Sequence, residues 1–322
     1  MILKQSDDKS AQIKTLESLA AHPRLPASKK PLVEKELTIL RSGIKGEREA
    51  AYDIDFYSGA SKNRVVIHDL RLEHNGRVAQ IDHLVINRML ETFIVETKHF
   101  AQGISISESG EFTSWYGSKG QGIPSPLEQN KRHIDVLRDL FKQLDMPSRL
   151  GFTLQPDFIS IVLVSKNARI TRPKKFDTSG VIKSDQFESW IQKHIDGLSP
   201  LQLAKLVSEE TLIDIGRQLI LRHKPLKPDY LGKFGIEART LVAPVAMPMA
   251  VREPEPASCS SVVAGTSGDS PEAEEKKNKL VCVSCGAKVS YAVAKFCWNS
   301  KKRFGGDVFC MECQKKVKPK GA

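Results

Sequence analysis

The stretch from Gln80 to Lys98 constrains this chain most, because it joins two apolar strands that both carry charge: QIDHLVINRMLETFIVETK. In a strand, residues two apart share a face, so Glu96 and Lys98 project together and Thr97 points away. Asp82, on the preceding strand, needs only a short hairpin to reach them. Charged groups at such strands are costly to desolvate unless they meet a partner. The pattern therefore predicts that these three groups meet one.

A divalent cation and a phosphate are suitable partners. Hydrolysis of a phosphodiester requires an activated water, neutralisation of charge on the phosphoryl oxygens and stabilisation of the departing alkoxide. Asp82 and Glu96 are hard oxygen ligands for Mg²⁺ or Mn²⁺, and Lys98 can orient the attacking water and contact the phosphate. Glu47, arriving from a helix, can complete the acidic set. The alternative is a solvated strand face, because an isolated Glu-x-Lys occurs by chance in many proteins.

Periodicity along the chain predicts a mixed sheet flanked by helices. The residues up to about Ser42 have the pattern of a peripheral helix, and a second helix is expected from Gly46 to Gly59, with Glu47 in its first turn. The remaining predicted elements are strands over 64–70, 78–86, 90–98, 104–107, 111–115 and 158–164, a helix from Pro126 to about Leu144, and helices between Asp185 and Arg222.

Composition favours a globular protein with an anionic partner. The chain has 322 residues, of which 40% are hydrophobic, enough for a sizeable core and more than one domain. Its net charge of +11 and pI near 9.3 favour nucleic acid as that partner. No apolar run approaches the roughly 18 residues of a membrane helix, and the first residues lack a secretory signal. The sequence therefore predicts a cytoplasmic protein without membrane association.

Five of the six cysteines lie in the last part of the chain. Two Cys-x-x-Cys pairs, one on each side of residues 286–309, have the spacing of a tetrahedral zinc site rather than of disulfides. The predicted structural zinc ligands are Cys282, Cys285, Cys310 and Cys313. Cys297 is expected to be a small buried hydrophobic residue rather than a fifth ligand.

The tract before these cysteines, residues 225–279, is rich in Pro, Ser, Gly and acidic residues and is predicted to be a flexible linker. Residues 280–322 contain nine Lys or Arg against two Asp or Glu, a formal +7. Four thiolates with one Zn²⁺ reduce this to about +5. Aromatic residues between the basic ones allow either a small core or base stacking, so the module is expected to bind nucleic acid.

Four motifs stand out along the chain: Gly43-x-x-Gly46-Glu47, the AQIDH sequence at 79–83, the IVETK sequence at 94–98 with Gly103 after it, and Pro126-Leu-x-Gln129. Together they resemble the nuclease-related domain (NERD) family, a branch of the PD-(D/E)xK nuclease superfamily. The resemblance covers roughly residues 40–150. It implies an α/β fold with the mixed sheet of restriction endonucleases, flanked by helices. The cysteine module resembles a topoisomerase-type zinc ribbon.

The resemblance also implies an activity, that of a Mg²⁺-dependent nuclease acting on DNA or a related nucleic acid. Glu47, Asp82 and Glu96 then take the metal-binding positions, Lys98 is the catalytic lysine, and Gln80 and Gln129 support them. Two alternatives stay open: a nucleic-acid-binding protein that does not cut, and a zinc-ribbon protein-interaction module.

The corresponding domain prediction has five parts. They are an N-terminal helical extension (1–42), the nuclease-related domain (43–165), a helical extension (166–224), the linker (225–279) and the zinc ribbon (280–318).

Overall fold

The structure is a computed structural model that describes residues 1–100, 102–241, 281–300, 304–305 and 307–317. The chain divides into two compact units, Met1–Met247 and Pro248–Ala322. Each unit is described by itself below.

A six-stranded mixed sheet forms the centre of the first unit. Its strands are β1 (Ile2–Lys4), β2 (Arg64–His74), β3 (Arg77–Asn87), β4 (Glu91–Lys98), β10 (Asp157–Val164) and β12 (Val181–Lys183), and they lie side by side in that order. The strands β2, β3 and β4 are antiparallel neighbours, whereas β1, β10 and β12 join in parallel. The predicted mixed α/β sheet is therefore confirmed.

Helices cover both faces of this sheet. One face packs against α2 (Lys30–Ser58) and α4 (Phe187–Asp196), and the other packs against α3 (Pro126–Phe141) and α6 (Glu209–Ile220). Buried aliphatic side chains of the strands fill both interfaces, because a sheet covered on both faces buries consecutive residues rather than alternate ones. Burial on both faces explains why the apolar residues of β10 are consecutive.

A smaller sheet follows the end of β4. It contains β5 (Gly103–Ile106), β6 (Phe112–Tyr116), β7 (Lys119–Ile123) and β11 (Arg169–Thr171), in the order β11-β5-β6-β7. A two-stranded ribbon is formed by β8 (Ser148–Arg149) and β9 (Phe152–Thr153). A short helix, α5 (Pro200–Leu203), precedes α6.

The N-terminal region differs from the prediction of a peripheral helix. Ile2–Lys4 is a strand of the central sheet, and α1 (Ser10–Ala20) follows it. The helices predicted before Ser42 and after Gly46 are one 29-residue helix, α2. Gly43 and Gly46 do not interrupt it, because tertiary packing against the sheet outweighs the weak helix propensity of glycine.

The first part of the predicted linker contains helices. Two short helices, α7 (Tyr230–Phe234) and α8 (Ala238–Leu241), lie inside it. Tyr230 and Phe234 are buried in a core that they share with α1 and α2. These few apolar residues pack against residues that are far away in the sequence. Local composition cannot predict such contacts. The rest of the predicted linker, from residue 242, lies outside the described residues.

In the described part of the second unit, Val281 and Lys288 form an isolated antiparallel bridge. The helices α9 (Tyr291–Asn299) and α10 (Met311–Lys316) come after it in the chain. Phe304, Val308 and Cys297 are buried in this unit, as expected for Cys297. Across the described parts of both units, no helix is both long and apolar enough to cross a membrane.

Candidate active site

The central sheet opens between β3 and β4 at the predicted site. Backbone pairing of these strands extends only as far as His83 opposite Val95. Beyond this point the Asp82 carboxylate replaces the missing backbone partner, because its Oδ2 accepts a hydrogen bond of 2.8 Å from the Thr97 N–H. The last residues of β4 remain paired with β10 on their other side. Asp82 thus fits into a gap beside Glu96 and Lys98.

Asp82 lies outside the apolar core because the alternation of core-facing residues shifts by one position on both β2 and β3. The shift occurs at two acids that lie opposite each other. The β2–β3 ladder runs continuously from Arg64 to His74 except at Asp69, which lies opposite Asp82. Asp69 has a left-handed backbone, with φ of 49°. Apolar residues before and after each acid in the sequence therefore face the same core, with a step of three residues across the acid instead of two. These residues are Val65, Ile67, Leu70 and Leu72 on β2, and Ala79, Ile81, Leu84 and Ile86 on β3.

Glu96 and Lys98 project from the same face of β4 toward α3, as the two-residue spacing predicts. Lys98 Nζ lies 2.6 Å from Glu96 Oε1 and donates to Gln129 Oε1 on α3 at 3.2 Å. The other Glu96 oxygen, Oε2, is buried without a hydrogen-bond partner. A buried carboxylate oxygen without a partner is unfavourable, and this one lies where the sheet opens.

The two acids of the gap bind protons more tightly than ordinary carboxylates. Burial, and then the charges of Glu96 and Glu47, raise the pKa of Asp82 well above its usual range. Burial also raises the pKa of Glu96, against the opposing effect of Lys98. The two acids therefore lack sufficient positive charge nearby, and a bound cation would stabilise their ionised forms.

Glu47 approaches the site from α2, as predicted, and Gly46 makes that approach possible. A Cβ atom on Gly46 would lie 2.7 Å from Cβ of His99, the residue that follows β4. The absence of a side chain lets the helix pass close to the strand end. Glu47 Oε2 is bound by the Lys9 ammonium, at 2.7 Å.

Two residues of this centre were absent from the sequence prediction: Lys9 and Asp69. Asp69 binds Lys9, with 3.3 Å between Oδ2 and Nζ, and its Oδ1 accepts from Gln80 at 3.4 Å. Gln80, predicted as a supporting residue, thus contacts this additional acid. The signal for Asp69 was available, because an acid within the apolar strand predicted at 64–70 is as costly to bury as Asp82. No local pattern marks Lys9.

His83 belongs to a buried chain of hydrogen bonds behind β4. His83 Nε2 lies 3.1 Å from Thr97 Oγ1, His83 Nδ1 lies 2.7 Å from His68 Nδ1, and His68 Nε2 lies 2.8 Å from Asp55 Oδ1. Since a carboxylate only accepts, His68 donates to Asp55, His83 donates to His68, and the Thr97 hydroxyl donates to His83. Burial lowers the pKa of both histidines, so both are neutral. This series of hydrogen bonds holds Thr97, the middle residue of the Glu-x-Lys motif, in place.

The donor set of the acidic centre suits a hard divalent cation. Asp82, Glu96 and Glu47 offer carboxylate oxygens, the ligands that Mg²⁺ and Mn²⁺ prefer, and the partnerless Glu96 oxygen supports such a fit. These acids are not gathered as closely as the thiols of the second unit. Among the described residues, only the four cysteines form a set of three or more candidate ligands whose atoms all lie within 4.8 Å of one another.

That set is the one predicted from the two Cys-x-x-Cys pairs: Cys282, Cys285, Cys310 and Cys313. Desolvation opposes ionisation of the Cys282 thiol, but backbone N–H donors from the two pairs lower its pKa to about 6. Cys297 stays outside the set, since its sulfur packs against the Phe309 backbone and the Gln314 amide. Four thiols without an open position can hold a structural zinc ion.

Comparison with known proteins agrees with this geometry. Residues 42–165 match the family model of the nuclease-related domain, and this segment contains Glu47, Asp82, Glu96 and Lys98. Neither a curated protein nor a solved structure gives a match. The matched segment includes α3 and ends with β10, so it covers the whole open gap in the sheet. The chain therefore contains a nuclease-related domain, followed by a four-cysteine cluster consistent with a zinc ribbon.

Proposed function

We propose that this protein is a metal-dependent nuclease that hydrolyses phosphodiester bonds of DNA or a related nucleic acid. The observation that carries the proposal is the open gap between β3 and β4, where Asp82, Glu96 and Lys98 meet and one buried carboxylate oxygen has no partner. The match to the nuclease-related domain supports it independently.

The metal would be held by Asp82 and Glu96, with Glu47 as the third carboxylate, and it would polarise the phosphoryl group and activate water. The Asp82 carboxylate is held in place by the Thr97 N–H, which leaves Oδ1 for other contacts. Lys98 is held between Glu96 and Gln129, where its ammonium can orient water and contact a phosphate oxygen. Gln129 thereby positions the lysine.

The basic C-terminal residues are the second part of the proposal. Backbone phosphate contacts dominate binding that is independent of nucleic-acid sequence, and residues 280–322 have a formal charge of +7. We assign to them the role of assisting substrate binding, with zinc holding the four cysteines together.

The test is cleavage of labelled single-stranded and double-stranded DNA by the zinc-loaded protein, with Mg²⁺, with Mn²⁺ and without a divalent ion. Asp82→Asn should reduce cleavage by roughly 10³-fold or more while substrate binding stays within a few-fold of wild type. The matched control is Asp135→Asn, because Asp135 is an exposed acid on α3 that pairs with Arg138. This control should cleave like the wild type.

Three outcomes separate the proposal from its alternatives. Metal-dependent cleavage that survives in a folded Asp82→Asn protein would show that the site lies elsewhere. Binding without cleavage under all ion conditions would indicate a nucleic-acid-binding protein with a nuclease-like fold. No affinity for nucleic acid at moderate salt would favour a protein-interaction role for the cysteine module.

A further inference from the structure

The Lys9 ammonium lies between two acids that come from different elements of the fold. It is 2.7 Å from Glu47 Oε2 on α2 and 3.3 Å from Asp69 Oδ2 on β2. The Lys9 side chain is only 13% exposed. One partly buried ammonium therefore neutralises two carboxylates at the edge of the proposed metal site.

The segment that carries Lys9 is fixed to the sheet next to it. Lys4 Nζ donates to the backbone oxygens of His68 and Asp69, at 3.0 and 3.1 Å. Lys4 also binds Asp7, whose other oxygen lies 3.0 Å from His223 Nε2. These contacts hold the connection between β1 and α1, so the position of Lys9 does not depend on its own side chain alone.

Asp69 adopts a costly conformation to reach this ammonium. It is buried, and its positive φ of 49° is uncommon for any residue other than glycine. Such backbone strain persists only where surrounding contacts maintain it, and it is concentrated at functional sites. Here the contacts are Lys9 and Gln80.

The charges of the centre leave room for one divalent ion. Glu47, Asp69, Asp82 and Glu96 supply four carboxylates, against which the described neighbours Lys9 and Lys98 supply two ammonium groups. The formal remainder, with all groups ionised, is −2. One Mg²⁺ or Mn²⁺ balances it, and a second ion would leave an excess of positive charge.

We propose that the Lys9 ammonium occupies the place of a second divalent cation, so that the centre binds a single metal ion. This inference rests on the proposed function for that first ion. Lys9 satisfies Oε2 of Glu47, which leaves Oε1 for the metal held by Asp82 and Glu96. Without the ammonium, Glu47 and Asp69 lose the cation that both contact, and Glu47 and Lys9 line a solvent cavity of about 400 Å³. A hydrated ion can enter there.

The experiment counts Mn²⁺ ions bound to the zinc-loaded full chain, by calorimetric titration and by electron paramagnetic resonance of the free ion. Wild type is expected to bind one, Lys9→Met two, and Lys9→Met with Asp69→Asn one again. Methionine keeps the length of the apolar stem, and asparagine tolerates the positive φ of position 69. Lys14→Met is the matched control, since Lys14 is an exposed residue of α1, and it should bind one ion.

The counts separate this proposal from the proposed function. If wild type and Lys9→Met each bind one ion, the proposed role of Lys9 is wrong, whereas the metal site of Asp82 and Glu96 is supported. Two ions in wild type would overturn it as well. No ion in wild type but one in Lys9→Met would reject the first metal site and retain the role of Lys9. No binding to any variant would overturn both.

Folding is checked by circular dichroism before the titration. Where Lys9→Met melts far below wild type, Lys9→Gln replaces it, because glutamine keeps a hydrogen-bond donor to Glu47 without the charge. The expected count for Lys9→Gln is also two, and a count of one would overturn the role of Lys9.

Discussion

The four cysteines and the acidic centre differ in how far along the chain their members lie. The cysteines form two pairs, each three residues apart, within one small unit. The acidic centre joins Lys9, Glu47, Asp69, Asp82 and Glu96 from β1–α1, α2, β2, β3 and β4. The first set is assembled by local turns, whereas the second is assembled by the sheet and the helix packed on it.

This difference sets what each site requires in order to form. A small unit whose described part buries few side chains would draw folding energy from a zinc ion bound by its four cysteines, as structural zinc sites do. The acidic centre is supported by large apolar cores on both sides of the sheet. Burial and neighbouring acidic charges raise the pKa of two of its carboxyl groups, Asp82 and Glu96.

Cys310→Ser should abolish zinc binding and unfold the described part of the second unit. Losing one thiolate from a four-ligand site removes much of a binding free energy that is about 10–16 kcal/mol in zinc-finger peptides. Zinc content by mass spectrometry and amide hydrogen exchange measure the two effects. Melting of the first unit should not change.

The matched control for that substitution is Cys297→Ser, since Cys297 is a buried cysteine outside the ligand set. It should retain one zinc ion. Stoichiometric zinc in Cys310→Ser, or loss of zinc in the control, would contradict the ligand assignment.

Lys98→Met should lower metal-dependent cleavage by roughly 10³-fold, because an ammonium that orients water or contacts the phosphate acts in the chemical step. Binding of Mn²⁺ and zinc should remain, and single-turnover cleavage measures the loss. Lys131→Met is the control, because Lys131 is an exposed lysine of α3 paired with Glu128. Equal losses in both variants would reject a specific role for Lys98.

His133→Leu should reduce the loss of stability in acid. Burial lowers the pKa of His133 from 6.5 to about 4, so the folded protein favours the neutral ring. The contribution of the neutral ring to the free energy of unfolding is complete above pH 6.5. As the pH falls toward 4, the free energy of unfolding decreases by up to about 3 kcal/mol for this reason. Urea unfolding between pH 7 and pH 4 measures it. Parallel curves for the two proteins would contradict the prediction.

Gly46→Ala should lower the free energy of unfolding by about 1–3 kcal/mol, because the new Cβ would lie 2.7 Å from Cβ of His99. Gly43→Ala is a matched control on the same helix, where the nearest atom, Glu47 Oε1, would lie at an ordinary 3.8 Å. That variant should be stabilised by about 0.5–1 kcal/mol. Urea denaturation distinguishes them, and equal effects would refute the close helix–strand contact.

Removing residues 280–322 should weaken binding to DNA by roughly tenfold and flatten its salt dependence, since phosphate contacts of basic residues are lost. Cleavage at high substrate concentration should remain. Fluorescence anisotropy at several salt concentrations gives both quantities. Unchanged affinity and slope would instead indicate that the cysteine module recruits a protein partner.

Much of the fold was predictable because apolar periodicity is a local signal. The strands that contain Asp82 and Glu96, the buried strand 158–164 and the helix after Pro126 were all expected near their observed positions. The N-terminal strand and the helices at 230–241 were not expected. They are short, and distant partners rather than their own sequence stabilise them: β2 for Ile2–Lys4, and α1 and α2 for Tyr230 and Phe234.

The site residues that could be identified from sequence are those whose geometry is local. Residues two apart on a strand share a face, which paired Glu96 with Lys98, and Cys-x-x-Cys spacing defined the four thiols. Long-range packing, in contrast, places Asp69 opposite Asp82 with a strained backbone and brings Lys9 to Glu47. The reason is physical: the cost of burying these charges is offset by partners tens of residues away, and no local pattern records that compensation.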